Sequence, residues 1–161
     1  MHDLPPPPSD DAALLTGGCQ CGAVRYRIAD ARGECHACHC RECQRQSASA
    51  FGISLTVARA DFVVTGPVRR WDRGTALGTR TSCVFCAYCG SRVFHIDSPE
   101  PDKVRVKGGS LDDPSRIRPG AHLWVSRKLD WVILDPALPT HETQPDDIAA
   151  WRAGFSEGTG R

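Results

Sequence analysis

"GGCQCGAVRYRI" (Gly17–Ile28) carries two signals about the fold. Its second half alternates: Val24, Tyr26 and Ile28 fall on one face and Arg25 and Arg27 on the other, the period of a β-strand. Its first half sets Cys19 and Cys21 two residues apart among Gly17, Gly18 and Gly22. On an extended chain, residues two apart point to the same side, so both thiols can reach one metal, and the glycines let the chain bend around it. A second cysteine pair elsewhere would staple this strand to a distant part of the chain.

The same alternation recurs outward from this stretch. "FGISLTV" sets Phe51, Ile53, Leu55 and Val57 against Gly52, Ser54 and Thr56. "KVRVK" alternates Val104 and Val106 with Lys103, Arg105 and Lys107, and "HLWVS" and "WVIL" read as two later strands split by the turn-like "RKLD". Gly and Pro punctuation separates them ("TGP", "RGTALG", "KGG", "DDPS", "RPG"). Many short strands at this spacing predict an all-β fold of packed or coiled sheets. Helix signals are few: "RECQRQS" suggests one turn, and "DDIAAWRAGF" places Ile148, Trp151 and Phe155 at helical spacing after Asp146 and Asp147. With 161 residues, no internal repeat and no linker, one domain is expected. The expected division is a disordered Pro-rich lead-in over 1–13, a domain over 14–145 and a C-terminal tail over 146–161.

A net charge of +1 implies no broad attraction to nucleic acid or to an acidic membrane. No stretch approaches the roughly 18 apolar residues of a membrane span. The lead-in has no apolar secretory core, so the cytoplasm is the expected compartment and disulfides are not expected. Nine cysteines, an odd number, also argue against a fully paired disulfide framework and for metal binding or catalysis.

The cysteines form three clusters: Cys19 and Cys21; Cys35, Cys38, Cys40 and Cys43; and Cys83, Cys86 and Cys89. Cys86 and Cys89 in "CAYCG" have the spacing of a zinc knuckle, with Gly90 permitting the tight turn. Together with Cys19 and Cys21 they supply four thiolates, enough for a tetrahedral structural site. A redox role for this CxxC lacks the surrounding βαβ pattern. Cys38, Cys40 and Cys43 can place three thiolates on a second metal. Cys35, His36, His39 or Cys83 can close that site; if none does, it keeps the open position of a catalytic zinc.

Six segments, in order, resemble the family of glutathione-dependent formaldehyde-activating enzymes, which shares its domain with centromere protein V. They are "GGCQCGAVRY", "CHCRECQRQSASAFG", "CAYCGSRVF", "KGGSLDD", "AHLWVSRKLDW" and "ALPTHETQP", and they span roughly Leu14 to Pro145. The resemblance implies coiled β-sheets of the β-tent type stapled by zinc, with few short helices. It implies two zinc ions per chain, a structural one on Cys19, Cys21, Cys86 and Cys89, and one at the active site on Cys38, Cys40 and Cys43. It implies carbon–sulfur lyase activity that reversibly joins a thiol such as glutathione to a small aldehyde such as formaldehyde. Two departures stand out: Ala48 follows Ser47 where the family usually has glycine, and Cys35 and Cys83 lie outside its basic ligand set.

Three thiolates give zinc a net negative first shell and suit a soft sulfur as fourth ligand. Cationic neighbours must offset that charge, and Arg41 and Arg45 are the local candidates, available also to grip substrate carboxylates. His39, between two ligands, points away from them on an extended chain. His122, Trp124 and Trp131 read as core, and Asp112 and Asp113 as turn residues. The alternative is a non-catalytic zinc-stabilised binding module with two structural metal sites. Chromatin-type roles for such a module would favour an added basic region, which this chain lacks.

Overall fold

Strand alternation here produces two sheets with a core between them. The computed structural model describes residues 14–75 and 77–156. The lead-in expected over 1–13 lies outside the described residues. A three-stranded sheet takes the order β1 (Leu15–Gly18), β2 (Arg25–Ile28), β5 (Phe62–Thr65). The larger sheet is built from β3 (Cys35–Cys38), β4 (Gly52–Ala58), β6 (Val68–Gly74), β7 (Arg80–Cys86), β8 (Arg92–Asp97), β9 (Lys103–Lys107), β10 (His122–Leu123) and β11 (Thr140–His141). Its order is β11-β10-β3-β4-β9-β8-β7-β6, antiparallel except where β10 lies parallel to β3 and β11. Two short helices, α1 (Arg41–Ser47) and α2 (Ile148–Ser156), complete the mostly β architecture.

Tyr26, Ile28 and Phe62 from the small sheet meet Leu55, Val57, Phe94, Val104 and Val106 from the large one. Each such side chain contributes about 1.5–3 kcal/mol by leaving water. The opposite face of the large sheet is polar yet also covered. On β4, Ser54 and Thr56 are only 4% and 5% exposed, although alternation sets them opposite the apolar row. Cross-strand register explains what they face. His36 pairs with Ser54, and Ser54 with Lys107. His95 pairs with both Cys83 and Arg105. Directly opposed residues share a face, so these groups make one inward polar surface.

Several expectations need correction. Strand "HLWVS" stops at Leu123, because Trp124 turns into the left-handed region (φ 59°) and a 3-10 turn follows. "WVIL" forms no strand: Lys128 Nζ donates to the carbonyls of Leu129 and Val132 (3.1 and 2.9 Å) and holds the segment as a turn. Trp131 is accordingly 72% exposed rather than core. Asp113 does cap a turn, accepting from the Ser115 amide at 3.1 Å. Asp112 instead pairs with Arg25 (2.9 Å) and accepts from Thr16 (2.6 Å), tying the 108–113 segment to β1 and β2.

Helix α1 runs two turns rather than one and ends at Ala48, whose φ of 50° is left-handed. A Cβ in that conformation is strained, and glycine is the residue that relieves it. Ala48→Gly should therefore stabilise the protein by about 1 kcal/mol in chemical denaturation, with an unchanged denaturant slope.

Candidate metal centres

Cys19 and Cys21 occupy the turn between β1 and β2, not an extended strand; the Gly22 amide closes that turn on the Cys19 carbonyl at 3.1 Å, with φ 79° at Gly22. Cys86 ends β7 and Cys89 lies in the turn before β8, where Gly90 takes φ 73°. The four sulfurs lie within 4.8 Å of one another. Cys19 and Cys21 are separated by 3.5 Å, and Cys21 and Cys86 by 3.8 Å. A tetrahedral metal with bonds of about 2.3 Å needs sulfurs about 3.8 Å apart, so the donor set fits. Backbone amides of Val24 and Tyr88 donate to the sulfurs of Cys19 and Cys86 (3.2 and 3.4 Å). Ser91, first through its hydroxyl and then its amide, pulls the Cys89 thiol down to about 5. A metal here would bolt the small sheet to the large one.

The second group arises where β3 runs into α1. Cys38 ends β3, Cys40 is the N-cap of α1, and Cys43 lies in its first turn with its amide donating to the Cys40 sulfur at 3.4 Å. This cap geometry explains the CxxC spacing, because it stacks N-cap and N3 side chains. The three sulfurs lie within 4.8 Å of one another, with no fourth His, Cys, Asp or Glu ligand in the group among the described residues. Hydrogen bonds from Cys38, then Cys40, hold the Cys43 thiol well below its ordinary value.

None of the four residues considered for closing this group joins it. Cys35 is three positions before Cys38 on one strand, an odd offset that places it on the opposite face. It packs in the hydrophobic core, where burial and then the charge of Glu34 push its thiol up to about 12. Cys83 accepts from Gln46 Nε2 at 3.0 Å. His36 Nδ1 is engaged by the Glu34 carboxylate. His39 is fully buried and meets His122, Nε2 to Nδ1, at 3.0 Å.

All three cysteines line a cavity of about 440 Å3. Cys43 also lines a cleft of about 890 Å3 that runs toward Cys19 and Cys89. Arg41 and Arg45 line neither. Both are exposed, and Arg41 donates to Gln44 Oε1. Each is two residues from Cys43, and on a helix that is about 200° around the axis, the far side. The cations that face Cys43 come instead from distant strands. Lys107 Nζ donates to Ser54 Oγ at 3.0 Å; burial pulls its ammonium down to about 8 against the attraction of Cys43. Burial likewise lowers Arg92, opposed by Cys43 and Cys83. His95, buried beside Lys107 and Arg92, is held neutral and lies 2.6 Å from an Arg92 Nη. No spacing in the sequence marks Lys107 or Arg92, because strand register alone brings them here. Trp124, expected in the core, lines the same cavity and donates to Gln144 Oε1 at 3.2 Å.

A mostly β chain that joins two sheets at a four-thiol group, with a separate three-thiol group lining a cavity, is of a cysteine-rich β class whose two thiol groups could each hold a metal ion. This chain belongs to the family of glutathione-dependent formaldehyde-activating enzymes, whose match spans residues 14–127. A Halomonas elongata protein named for the same family is 30% identical over 90% of this chain and 99% of its own length. A crystal structure of a Rhodobacter sphaeroides protein aligns with a TM-score of 0.49 and 23% identity, over 65% of this chain and 91% of that one.

Proposed function

We propose that this protein is a zinc-dependent carbon–sulfur lyase that reversibly joins a thiol such as glutathione to a small aldehyde such as formaldehyde. The observation that carries the reading is the three-cysteine group, which lines a cavity and gains no fourth protein ligand among the described residues. On this reading residues 14–145 form the metal-binding domain, with one zinc on Cys19, Cys21, Cys86 and Cys89 and one on Cys38, Cys40 and Cys43. A zinc held by Cys38, Cys40 and Cys43 would, when bound, favour a soft sulfur ligand in its thiolate form.

The chain's own residues do the rest. Lys107 and Arg92 balance the negative charge of three cysteine thiolates and an incoming fourth. Adduct formation makes one C–S bond and breaks the carbonyl π bond, whose electron pair moves to oxygen. That oxyanion takes up a proton, equivalent to the one the thiol gave up, and becomes a hydroxyl. The reverse step breaks the C–S bond, re-forms the carbonyl and returns the proton to sulfur. Lys107 lines the cavity and is the cation placed to stabilise the developing oxyanion. Arg41 and Arg45, on the outer face of α1, are left to meet substrate groups outside the cavity or the solvent alone.

The test measures bound zinc and turnover together. Wild type and Cys35→Ser should bind about two zincs per chain and Cys40→Ser about one, and only the first two should accelerate adduct formation. Loss of the second zinc in Cys35→Ser would mean a closed structural site. The lyase reading fails if no thiol condenses with formaldehyde faster than it does without protein.

A further inference from the structure

The cavity over the three-cysteine group is walled in part by residues outside the family match, which ends at 127. Ile148, Ala149, Trp151 and Arg152 of α2 line it together with Cys38 and Cys40. Several contacts seat this helix. Asp147 accepts from the Ala150 amide at 2.9 Å and caps its start. Phe155 presses on Gly120 so closely that a Cβ there would lie 2.5 Å from the ring. Trp151 stands edge-on to His36, His141 and Phe155, with centroids 5.9, 6.0 and 5.0 Å apart.

Arg152 is the latch. Its Nε donates to Glu34 Oε2 at 3.2 Å and an Nη to Glu100. The Glu34 side chain is 1% exposed and also engages His36, two residues before Cys38. Burial works to raise the Glu34 carboxyl, but His36, Thr56 and Arg152 outweigh it and keep it ionised. Arg152 therefore ties α2 to β3, the strand that leads into the cysteine group, through a buried and weakly screened ion pair. An ion-pair network and two aromatic contacts, Trp151 on His36 and on His141, hold the helix over one side of the cavity.

We propose that α2 is the specificity wall of the thiol cavity. Trp151 and Ile148 bound the space open to the thiol's substituent, and Arg152 is a positioning residue that holds them there. The role in thiol selection rests on the lyase reading; the role in limiting access to the cysteines does not.

Two measurements separate these. The first is the ratio of kcat/KM for glutathione to that for 2-mercaptoethanol, with formaldehyde as co-substrate. Trp151→Ala should change it at least fivefold in favour of the larger thiol, and Ile148→Ala in the same direction, less strongly. The second uses protein as purified, alkylated with iodoacetamide or a fluorescein maleimide, with Cys40 and Cys43 followed by peptide mass spectrometry. Arg152→Ala should raise the maleimide-to-iodoacetamide rate ratio at least tenfold, and Arg152→Lys should bring it back toward wild type. If Trp151→Ala fails to fold, Ile148→Ala carries both measurements. A shifted reagent ratio in a protein that joins no thiol to formaldehyde would keep the wall and sink the lyase reading. Unchanged ratios in both measurements, in folded variants, would overturn the proposal.

Discussion

Cys86→Ser should unfold the protein near room temperature, whereas Cys40→Ser should leave it folded. Cys86 is 1% exposed, part of the hydrophobic core, and its sulfur sits 3.8 Å from that of Cys21 on the other sheet. If the four-thiol group holds a metal, as proposed, losing Cys86 removes the bolt between the two sheets. Structural zinc contributes on the order of 10 kcal/mol in small zinc domains, comparable to the whole stability of a typical domain. The smaller hydroxyl left behind would also sit buried where the sulfur accepts from the Tyr88 amide. The Cys38, Cys40 and Cys43 group draws on β3 and α1 only, two elements adjacent in the chain, so a metal there would close no long loop. Circular dichroism and bound metal, measured on both variants, check this. A folded Cys86→Ser protein with undiminished metal would show that the four-thiol group is not the staple.

Lys107→Met should lower kcat/KM by about a hundredfold while leaving the fold and the metal content intact. Methionine keeps the length and apolar stem of the side chain but removes the charge. The lost ammonium is the cation that lines both openings beside Cys43 and reaches Ser54 at 3.0 Å. A charge aimed at a developing oxyanion acts on the transition state, so the loss should fall on kcat more than on KM. Arg41→Met, on the outer face of α1, should cost less than threefold on the same reasoning. Equal losses in the two variants would place the compensating charge on the helix after all.

Much of the site was legible because its signals are local. CxC, CxCxxC and CxxCG place sulfurs together through a turn, a helix cap and a knuckle, none of which needs distant contacts. Alternation in "AVRYRI", "FGISLTV" and "KVRVK" likewise marked three true strands. Where reading failed, the cause was long-range. "WVIL" has the composition of a strand but no neighbour to pair with, so it stays a turn. Arg41 and Arg45 were close in sequence to Cys43 but lie on the wrong side of a helix whose length the sequence underestimated.

Cysteine spacing and strand period, both properties of the chain taken a few residues at a time, determined by themselves the β class and the two thiol groups. Tertiary structure alone decided that Cys35 turns into the core, that Lys107 and Arg92 supply the charge at Cys43, and that α2 walls the cavity. Those outcomes depend on which strand pairs with which and in what register. A shift of one residue would move every side chain of a strand to the other face, and nothing local forbids it.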